Sequence, residues 1–361
     1  MRRTLAALAA VGSLCLLAVA GTGAPAGAKT PAARLECGIA APPMNNKGKP
    51  IFAELRLLNA TFFLADVDWR TIARRRPAKP KNPADRAYDW SSLKQIFAGA
   101  RTVGIEVVPM VTGTPAWANG NRARQFGPTR PRDYADFLTA MSTRYPQVKR
   151  WLIWGEPSRA AEWVPQGKKG AQAYAVLLDL AYGAIKKINP KDLVIGGNTQ
   201  VSGSDDARTT SPGAWLRRLV LPNGRRPRLD LWGHNPFTER PIDLSLRPVS
   251  RYSYDFDDLD SLAADLDRYY PRRRIRLFLG ETGNLTEHAN SDWFFMTTRA
   301  DQAARIRQMY RIATRYKRIA AIANNLLYDQ PGEKGWTTGL RTADGVRKPS
   351  WYVYRTLCAR H

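Results

Sequence analysis

The chain has 361 residues, of which 44% are hydrophobic and 24% charged. Beyond residue 28 it shows no apolar span, no internal repeat and no low-complexity linker, which excludes a multi-span membrane protein and a repeat array. Lysine and arginine outnumber aspartate and glutamate by 56 to 31, giving a net charge of +25. Such a charge favours polyanionic surroundings but does not determine the fold.

The first residues have the pattern of a secretory signal peptide. Arg2 and Arg3 precede an apolar stretch over residues 5–20, and small residues at 26–28 offer a cleavage site after Ala28. A single transmembrane anchor is the alternative, but the run is shorter than the roughly 20 residues that a span needs. We therefore predict a signal peptide over residues 1–28 and one mature domain over residues 29–361. The protein is then secreted, extracellular or cell-wall associated, and has no membrane anchor after cleavage.

Cleavage leaves two cysteines, Cys37 near the start of the mature chain and Cys358 near its end. Two cysteines in an exported chain pair more often than not. The sequence thus predicts a Cys37–Cys358 disulfide bond, and two buried free thiols are the alternative.

Eight short apolar, β-rich runs follow one another at even spacing. They cover residues 35–40, 61–69, 105–112, 148–155, 192–198, 229–235, 275–281 and 319–328. Helical patterns lie between them, with one apolar face marked by Tyr134, Phe137 and Met141 and another by Tyr174 to Ile188. Strand–helix alternation repeated eight times predicts an α/β fold, a single (β/α)8 TIM barrel. A doubly wound open sheet is the alternative, but no glycine-rich phosphate loop follows an early strand.

Two glutamates stand directly after predicted strands. Glu156 follows the fourth strand in Trp-Gly-Glu-Pro, and Glu281 closes the seventh in Gly-Glu-Thr-Gly. In a barrel both belong to the face formed by the strands' carboxyl ends, where barrel enzymes carry their active sites. A pair of carboxyl groups across one cleft is what glycosidic bond hydrolysis requires.

At these residues the chain resembles a clan A glycoside hydrolase of the family 5 (cellulase-like) or family 39 (β-xylosidase-like) type. The resemblance runs along nearly the whole mature chain and rests on motifs at residues 67–69, 88–90, 113–118, 154–157, 234–237, 280–283, 329 and 344–350. It implies a retaining double displacement, with Glu156 as acid/base and Glu281 as nucleophile. Glu156 is then expected to begin protonated, because apolar walls and the second carboxylate disfavour its charge.

Three positions depart from the family pattern. Gly155 stands where an Asn usually precedes the acid/base. In the second strand, this chain has Leu64, Ala65 and Asp66 in the region where the family commonly has an Arg. Phe237 occupies the region of a Tyr that hydrogen-bonds the nucleophile. Loss of hydrogen bonds that strengthen in the transition state predicts a slower reaction and altered recognition of the sugar 2-hydroxyl.

Substrate-binding candidates are aromatic and polar residues at strand ends or in the loops that follow, where flat rings can stack on sugars. The candidates are Trp117, Trp154, Trp163, His234, Asn235 and Trp336. Packing is the alternative for each Trp, and a core role is the alternative for His234. The three histidines have no paired spacing and no Cys–His cluster exists, so we expect no metal and no cofactor.

Basic residues concentrate in two predicted loops on the active-site face. The loop after the second strand holds Arg70, Arg74, Arg75, Arg76, Lys79, Lys81 and Arg86, and the next holds Arg122, Arg124, Arg130 and Arg132. These charges favour an anionic glycan or cell-wall polymer, and an arginine-rich solvated surface is the alternative.

The sequence thus predicts a secreted retaining glycoside hydrolase that cleaves O-glycosidic bonds in a poly- or oligosaccharide. A catalytically weakened barrel that binds cell-wall or anionic glycan is the second hypothesis, motivated by Gly155 and Phe237. Nucleic acid is the third candidate partner, and export, the acidic strand ends and the lack of a nucleic-acid motif disfavour it.

Overall fold

The computed structural model describes residues 35–237, 253–288 and 296–359, all within one compact unit. Eight parallel strands close into a barrel in chain order, which confirms the predicted α/β, single (β/α)8 fold. The strands are β1 (Glu36–Ala40), β2 (Phe62–Asp68), β3 (Glu106–Thr112), β4 (Arg150–Ile153), β5 (Leu193–Gln200), β6 (Leu231–Asn235), β7 (Arg276–Thr282) and β8 (Ile319–Asn325). The predicted signal peptide lies outside the described residues and stays a prediction.

Helices in the described part of the chain surround the barrel. They are α1 (Phe52–Leu57), α2 (Trp69–Ile72), α3 (Ser91–Val103), α4 (Pro131–Arg144), α5 (Gly167–Ile188), α6 (Pro212–Arg218), α7 (Leu259–Tyr269), α8 (Arg299–Arg315) and α9 (Pro349–Ala359). The helical patterns seen in the sequence become α4 and α5, whose apolar faces are buried against the sheet. Thr298 caps α8 by accepting a hydrogen bond from the backbone of Asp301. Across the described residues, no helix is both long enough and apolar enough to cross a membrane.

Alternation along the strands divides the core into two layers. On β3, Val107 and Val111 face the helices, whereas Val108 and Met110 face the barrel interior. The interior layer is filled by bulky side chains, such as Phe62 and Phe278, whose rings lie 5.4 Å apart. The barrel is therefore a packed core with its open end at the strands' carboxyl termini.

A buried arginine closes the opposite end of the barrel. Arg150 on β4 is 5% exposed and donates two hydrogen bonds to Glu106 on β3, at 2.9 and 2.8 Å. It also forms an ion pair with Glu36 on β1 at 2.6 Å and lies 4.9 Å from the centre of the Phe62 ring. Two carboxylates offset the desolvation of one guanidinium, so this cluster ties strands together at the face away from the cavity.

The chain's two ends meet through a covalent bond. Cys37 on β1 and Cys358 on α9 form a disulfide, with Cα atoms 5.8 Å apart and 321 positions between them in sequence. Because β1 closes the barrel against β8, the last helix packs beside the first strand, and the predicted pairing is confirmed. The Tyr354 hydroxyl adds a 2.7 Å hydrogen bond to the carbonyl of Gly38.

A buried lysine anchors the segment after β8. Lys348 is fully buried, and its Nζ lies 2.7 to 2.8 Å from Asp329 and 2.7 Å from the Thr286 hydroxyl. Burial lowers the pKa of Lys348 and raises that of Asp329, while their mutual attraction opposes both shifts. The two motif residues therefore fix the 329–348 loop that leads to the cavity wall.

Candidate active site

A cavity of about 520 Å³ opens at the carboxyl ends of the strands. Its polar wall contains five acidic side chains and two basic ones, which are Asp66, Asp68, Glu156, Glu162, Glu281, Arg124 and Arg159. Apolar lining comes from residues such as Leu64, Met110 and Phe237. The two glutamates identified from the sequence therefore share one cavity on the face where barrel enzymes bind substrates.

The turn after β4 directs Glu156 into this cavity. β4 ends at Ile153, earlier than the sequence predicted, because Trp154 and Glu156 adopt positive φ angles of 70° and 35°. Non-glycine residues in this region cost on the order of 1–3 kcal/mol each and persist only where surrounding contacts fix them. Here the fixing contacts include a 2.8 Å hydrogen bond from Trp154 Nε1 to the Glu162 carbonyl.

Both carboxylate oxygens of Glu156 accept hydrogen bonds. Asn235 at the end of β6 donates from Nδ2 to Oε1 at 2.9 Å, and Arg159 donates from Nη1 to Oε2 at 2.9 Å. The side chains of Glu156 and Arg159 are 15% and 29% exposed, so this ion pair is only weakly screened by solvent. Two side chains from different parts of the barrel therefore fix the orientation of the Glu156 carboxyl group in the cavity.

Glu281 has the opposite surroundings. It lies within β7, and its carboxyl group makes no hydrogen bond or ion pair with any residue in the described ranges. Burial raises the pKa of Glu281 well above its usual range, and the negative charges of Glu156, Asp66 and Glu162 add to the effect. In the free protein Glu281 therefore holds a proton more readily than an ordinary glutamate does.

Three further carboxyl groups line the cavity, those of Asp66, Asp68 and Glu162. Asp66, in the last half of β2, is accessible to the cavity yet enclosed by protein on its other sides, and burial raises its pKa. Burial and the charge of Glu156 raise the pKa of Glu162 to about 7. Asp66 was noted only as a departure from the family pattern, and Glu162 was missed because it follows β4 in an irregular loop without a strand-end signal.

Gly155 is explained by packing around Met110. A Cβ atom at position 155 would lie 2.9 Å from the sulfur and 3.3 Å from the methyl carbon of Met110. Met110 itself accepts a long 3.7 Å contact from the amide of Asn198. An Asn at position 155 would therefore require Met110 to move, and its usual contact with a sugar hydroxyl is absent here.

The cavity has one aromatic wall. Trp336 and Phe237 both line the cavity, and their ring centres lie 5.5 Å apart. Together they offer an apolar surface on which a sugar ring can stack. Trp336 is thus the member of the predicted tryptophan set that the structure places at the cavity.

The other three tryptophans lie in the protein body. Trp154 and Trp163 are 0% and 2% exposed and pack edge to face with ring centres 5.0 Å apart. Trp117 is half-buried, donates from Nε1 to the Ala73 carbonyl at 2.7 Å and is covered by the guanidinium of Arg76 at 4.6 Å. These rings offer no free face to the cavity, so in this structure they pack and position the surrounding loops.

His234 supports the site from behind. It is fully buried, with Nε2 2.6 Å from the carbonyl of Tyr254 and Nδ1 2.9 Å from the Thr199 hydroxyl. A carbonyl only accepts, so Nε2 carries the proton and the neutral ring accepts from Thr199 through Nδ1. Burial lowers the pKa of His234 to about 4. The ring therefore holds the end of β6, and with it Asn235, in place.

Several basic residues of the two loops are used within the protein. Arg70 donates to the carbonyls of Thr114 and Arg122, while Arg76 and Arg130 both pair with Asp133 on α4. These contacts fix the loops over the barrel. Within the described ranges, no group of three or more His, Cys, Asp or Glu side chains is arranged to hold a metal ion.

The barrel is similar to solved glycoside hydrolase structures. A family 39 glycoside hydrolase from Bacteroides cellulosilyticus WH2 matches with a TM-score of 0.63 at 17% identity, over 90% of this chain and 63% of that one. A GH39 β-xylosidase from Caulobacter crescentus gives 0.62 at 17% identity, over 90% and 71%. A glucosidase from Croceicoccus marinus gives 0.65 at 14% identity, over 91% and 68%.

At these identities the likeness establishes the shared fold, and this chain spans less than two thirds of the Bacteroides protein's length. No protein-family model matches the sequence. No curated protein matches it either. The chain thus shares the (β/α)8 barrel fold of these structures, and the cavity at the carboxyl ends of its strands is acidic.

Proposed function

We propose that the protein is an exported retaining glycoside hydrolase that cleaves β-linked poly- or oligosaccharides. Glu281 attacks the anomeric carbon, and Glu156 protonates the departing oxygen and then activates water. The observation that carries this proposal is the placement of both side chains in one cavity, one at the end of β4 and one in β7. The shared fold with solved glycosidases supports it.

The surroundings of the two glutamates set a condition on this mechanism. Nucleophilic attack requires an ionised Glu281, and its pKa is raised. For the first step the proton must therefore reside on Glu156, which is held by Asn235 and Arg159 in the free protein.

Export is part of the proposal and rests on the sequence of residues 1–28. A basic start, an apolar stretch and a small-residue cleavage site are typical of a secreted precursor. The Cys37–Cys358 disulfide is compatible with the oxidising surroundings that export provides. Mass spectrometry of protein recovered from culture medium tests this point, with a mature chain beginning at Lys29 as the expected result.

A glycan panel tests the activity. The mature protein is incubated with neutral β-linked glycans, arabinans, amino-sugar polymers and uronic-acid polymers, and reducing ends are measured. Glu156→Gln and Glu281→Gln should each lower the rate at least about a hundredfold, since each removes a group needed for bond cleavage. Asp260→Asn, an exposed substitution on α7, serves as the control and should retain full activity.

A glycan-binding barrel with little hydrolysis is the second candidate. The raised pKa of Glu281, with Leu64 and Asp66 near it instead of a basic residue, favours a protonated and therefore unreactive nucleophile. In that case wild type, Glu156→Gln and Glu281→Gln bind the same glycan, and none of them releases reducing ends. Hydrolysis by the wild type that is lost in both variants would support the hydrolase over the glycan-binding barrel.

A further inference from the structure

We propose that the outer wall of the barrel carries a second binding site, a basic groove between α8 and α9 that binds a linear anionic polysaccharide. This α8–α9 groove has a volume of about 640 Å³. Its lining includes Arg307, Arg311 and Arg315 from α8 and Tyr352, Val353 and Leu357 from α9. No residue of this lining also lines the cavity that contains Glu156 and Glu281. The inference therefore goes beyond the proposed hydrolysis and does not depend on it.

Three arginines form a row along one side of the groove. Arg307, Arg311 and Arg315 follow one another at intervals of four residues, which places successive Cα atoms about 6 Å apart along the helix. All three side chains are exposed. None of the three guanidinium groups forms a hydrogen bond or an ion pair with a residue that the structure describes. The row can therefore pair with several charges of one extended ligand.

The two helices supply almost no negative charge to balance this row. Asp301 is the one acidic residue of α8; it lies in the first turn and accepts a hydrogen bond from the Thr298 hydroxyl. The sequence of α9 contains no acidic residue. Like charges four positions apart on a helix repel each other and destabilise it. A bound anion would relieve this repulsion, so the charge of the groove is complementary to a polyanion.

The α9 side of the groove suits a sugar chain. Tyr352 is 55% exposed, and half-buried Val353 and Leu357 line the groove with it. An exposed aromatic ring offers a flat apolar surface on which a sugar can stack. The Thr356 hydroxyl, also in the lining, donates to the Tyr352 carbonyl at 3.0 Å. Its oxygen can still accept a hydrogen bond from a sugar hydroxyl.

Contacts between the helices fix the shape of the groove. Near the start of both helices, the Ser350 hydroxyl donates to Oε1 of Gln302 at 2.6 Å. Further along, the rings of Tyr310 and Tyr354 meet edge to face with centres 5.5 Å apart. The disulfide bond described above ties the last turn of α9 to β1. A groove that is already formed loses little conformational entropy when a ligand binds.

The shape and charge of the groove favour a glycan over other partners. A second copy of this chain is disfavoured because each copy carries a net charge of +25. A flat lipid surface would contact the exposed arginine tips without entering between the helices. A single nucleic-acid strand is the strongest competitor, but such strands bind where successive bases stack on several aromatic rings. Tyr352 is the one exposed aromatic ring in the lining, so a polysaccharide that bears carboxylates fits better.

Calorimetry with a uronic-acid oligomer tests the proposal. The mature Glu281→Gln protein serves as the parent, so that the oligomer is not cleaved during the titration. A groove variant of this parent carries three substitutions, which are Arg307→Gln, Arg311→Gln and Arg315→Gln. A control variant loses the same charge at three exposed, scattered positions, through Arg101→Gln, Arg225→Gln and Arg272→Gln.

The two triple variants should differ clearly. We expect the groove variant to bind the oligomer at least about tenfold more weakly than the parent, with a weaker dependence on salt, because three charge-assisted contacts are lost. The control variant should bind within about twofold of the parent. Equal affinities of the two triple variants would overturn the proposal.

Further variants separate the roles of charge and ring. Replacement of the three groove arginines by lysine keeps the charge and should retain most of the affinity, which also guards against a glutamine variant that fails to fold. Tyr352→Ala should weaken binding several-fold without changing its salt dependence. A single-stranded oligonucleotide or anionic vesicles that bind the groove more tightly than the uronic-acid oligomer would overturn the assignment to a glycan.

Hydrolysis is measured separately. With Glu281 intact, the three glutamine substitutions in the groove should leave the cleavage rate of a short neutral glycan within about twofold of wild type, because the groove shares no residue with the cavity. Failure of the groove to bind the oligomer thus leaves the proposed hydrolase standing. Absence of hydrolysis in the wild type likewise leaves the groove standing.

Discussion

Asn235 donates a hydrogen bond of 2.9 Å to Oε1 of Glu156, which joins the end of β6 to the turn after β4. The two residues are 79 positions apart in the chain, and the barrel brings them together because strand ends meet on one face. This contact holds the carboxylate while Arg159 occupies its other oxygen.

Removal of that amide should lower the rate more than it lowers stability. For Asn235→Ala we expect kcat/KM to fall about ten- to hundredfold, because a hydrogen bond to a charged group contributes about 1.5–3 kcal/mol. The fold should persist, as judged by circular dichroism and urea unfolding. Asn223→Ala, in an exposed turn, is the matched control; a kcat/KM within twofold of wild type for Asn235→Ala would contradict the role given to this contact.

The pH dependence of activity should report the neighbours of Glu281. Its raised pKa places the acidic limb of the kcat/KM profile well above the usual range of a glutamate. Asp66→Asn and Glu162→Gln each remove a negative charge that raises this pKa, so both should move the limb to lower pH. Asp66 has the larger influence of the two, and its variant should show the larger shift. A limb that stays in place in both variants would mean that another group controls it.

Stability should fall when the medium is acidified through the titration of His234. Its folded pKa of about 4 lies below the unfolded value near 6.5, so the unfolded state binds more protons between these values. The contribution, about 3 kcal/mol, is complete above pH 6.5 and is lost as the pH falls to 4. Urea unfolding at a series of pH values measures it. His234→Gln should be less stable at pH 7 but should show a smaller loss between pH 6.5 and 4.

Reduction of the Cys37–Cys358 bond should destabilise the protein without altering the cavity. The bond closes nearly the whole described chain, and removal of a native disulfide costs about 2–5 kcal/mol. Urea unfolding with and without reductant measures the difference. A variant with both cysteines replaced by serine should have the stability of the reduced protein, and reductant should not change that stability. Equal stability of the wild type with and without reductant would show that the bond contributes nothing.

The fold could be predicted because it depends on periodicity along the sequence. Each β strand begins within about two residues of its predicted start, whereas β4 and β8 end before the predicted residues 155 and 328, at Ile153 and Asn325.

The early end of β4 has a local cause. Its end was missed because the left-handed conformations of Trp154 and Glu156 are imposed by tertiary contacts and not by glycine at those positions.

The candidate site could be predicted mainly where it lies on strand ends, and Trp336, in the loop after β8, is the exception. Glu156, Glu281 and Asn235 follow apolar runs and so could be found from the sequence. Arg159 and Glu162 lie in an irregular loop, where no pattern tells a cavity residue from a solvated one. Trp154 and Trp163 were predicted to bind sugar because of their position in the chain. Large aromatic side chains also pack into the core beneath loops, and both tryptophans are buried in the structure.

In the proposed mechanism Glu156 and Glu281 act on opposite sides of one anomeric carbon. Azide rescue on an aryl β-glycoside tests it most directly, with product configuration read by NMR. We expect azide to restore turnover to Glu156→Ala with a β-glycosyl azide as product, and to Glu281→Ala with an α-glycosyl azide. The same anomer from both variants, or near wild-type turnover of either variant without azide, would contradict it.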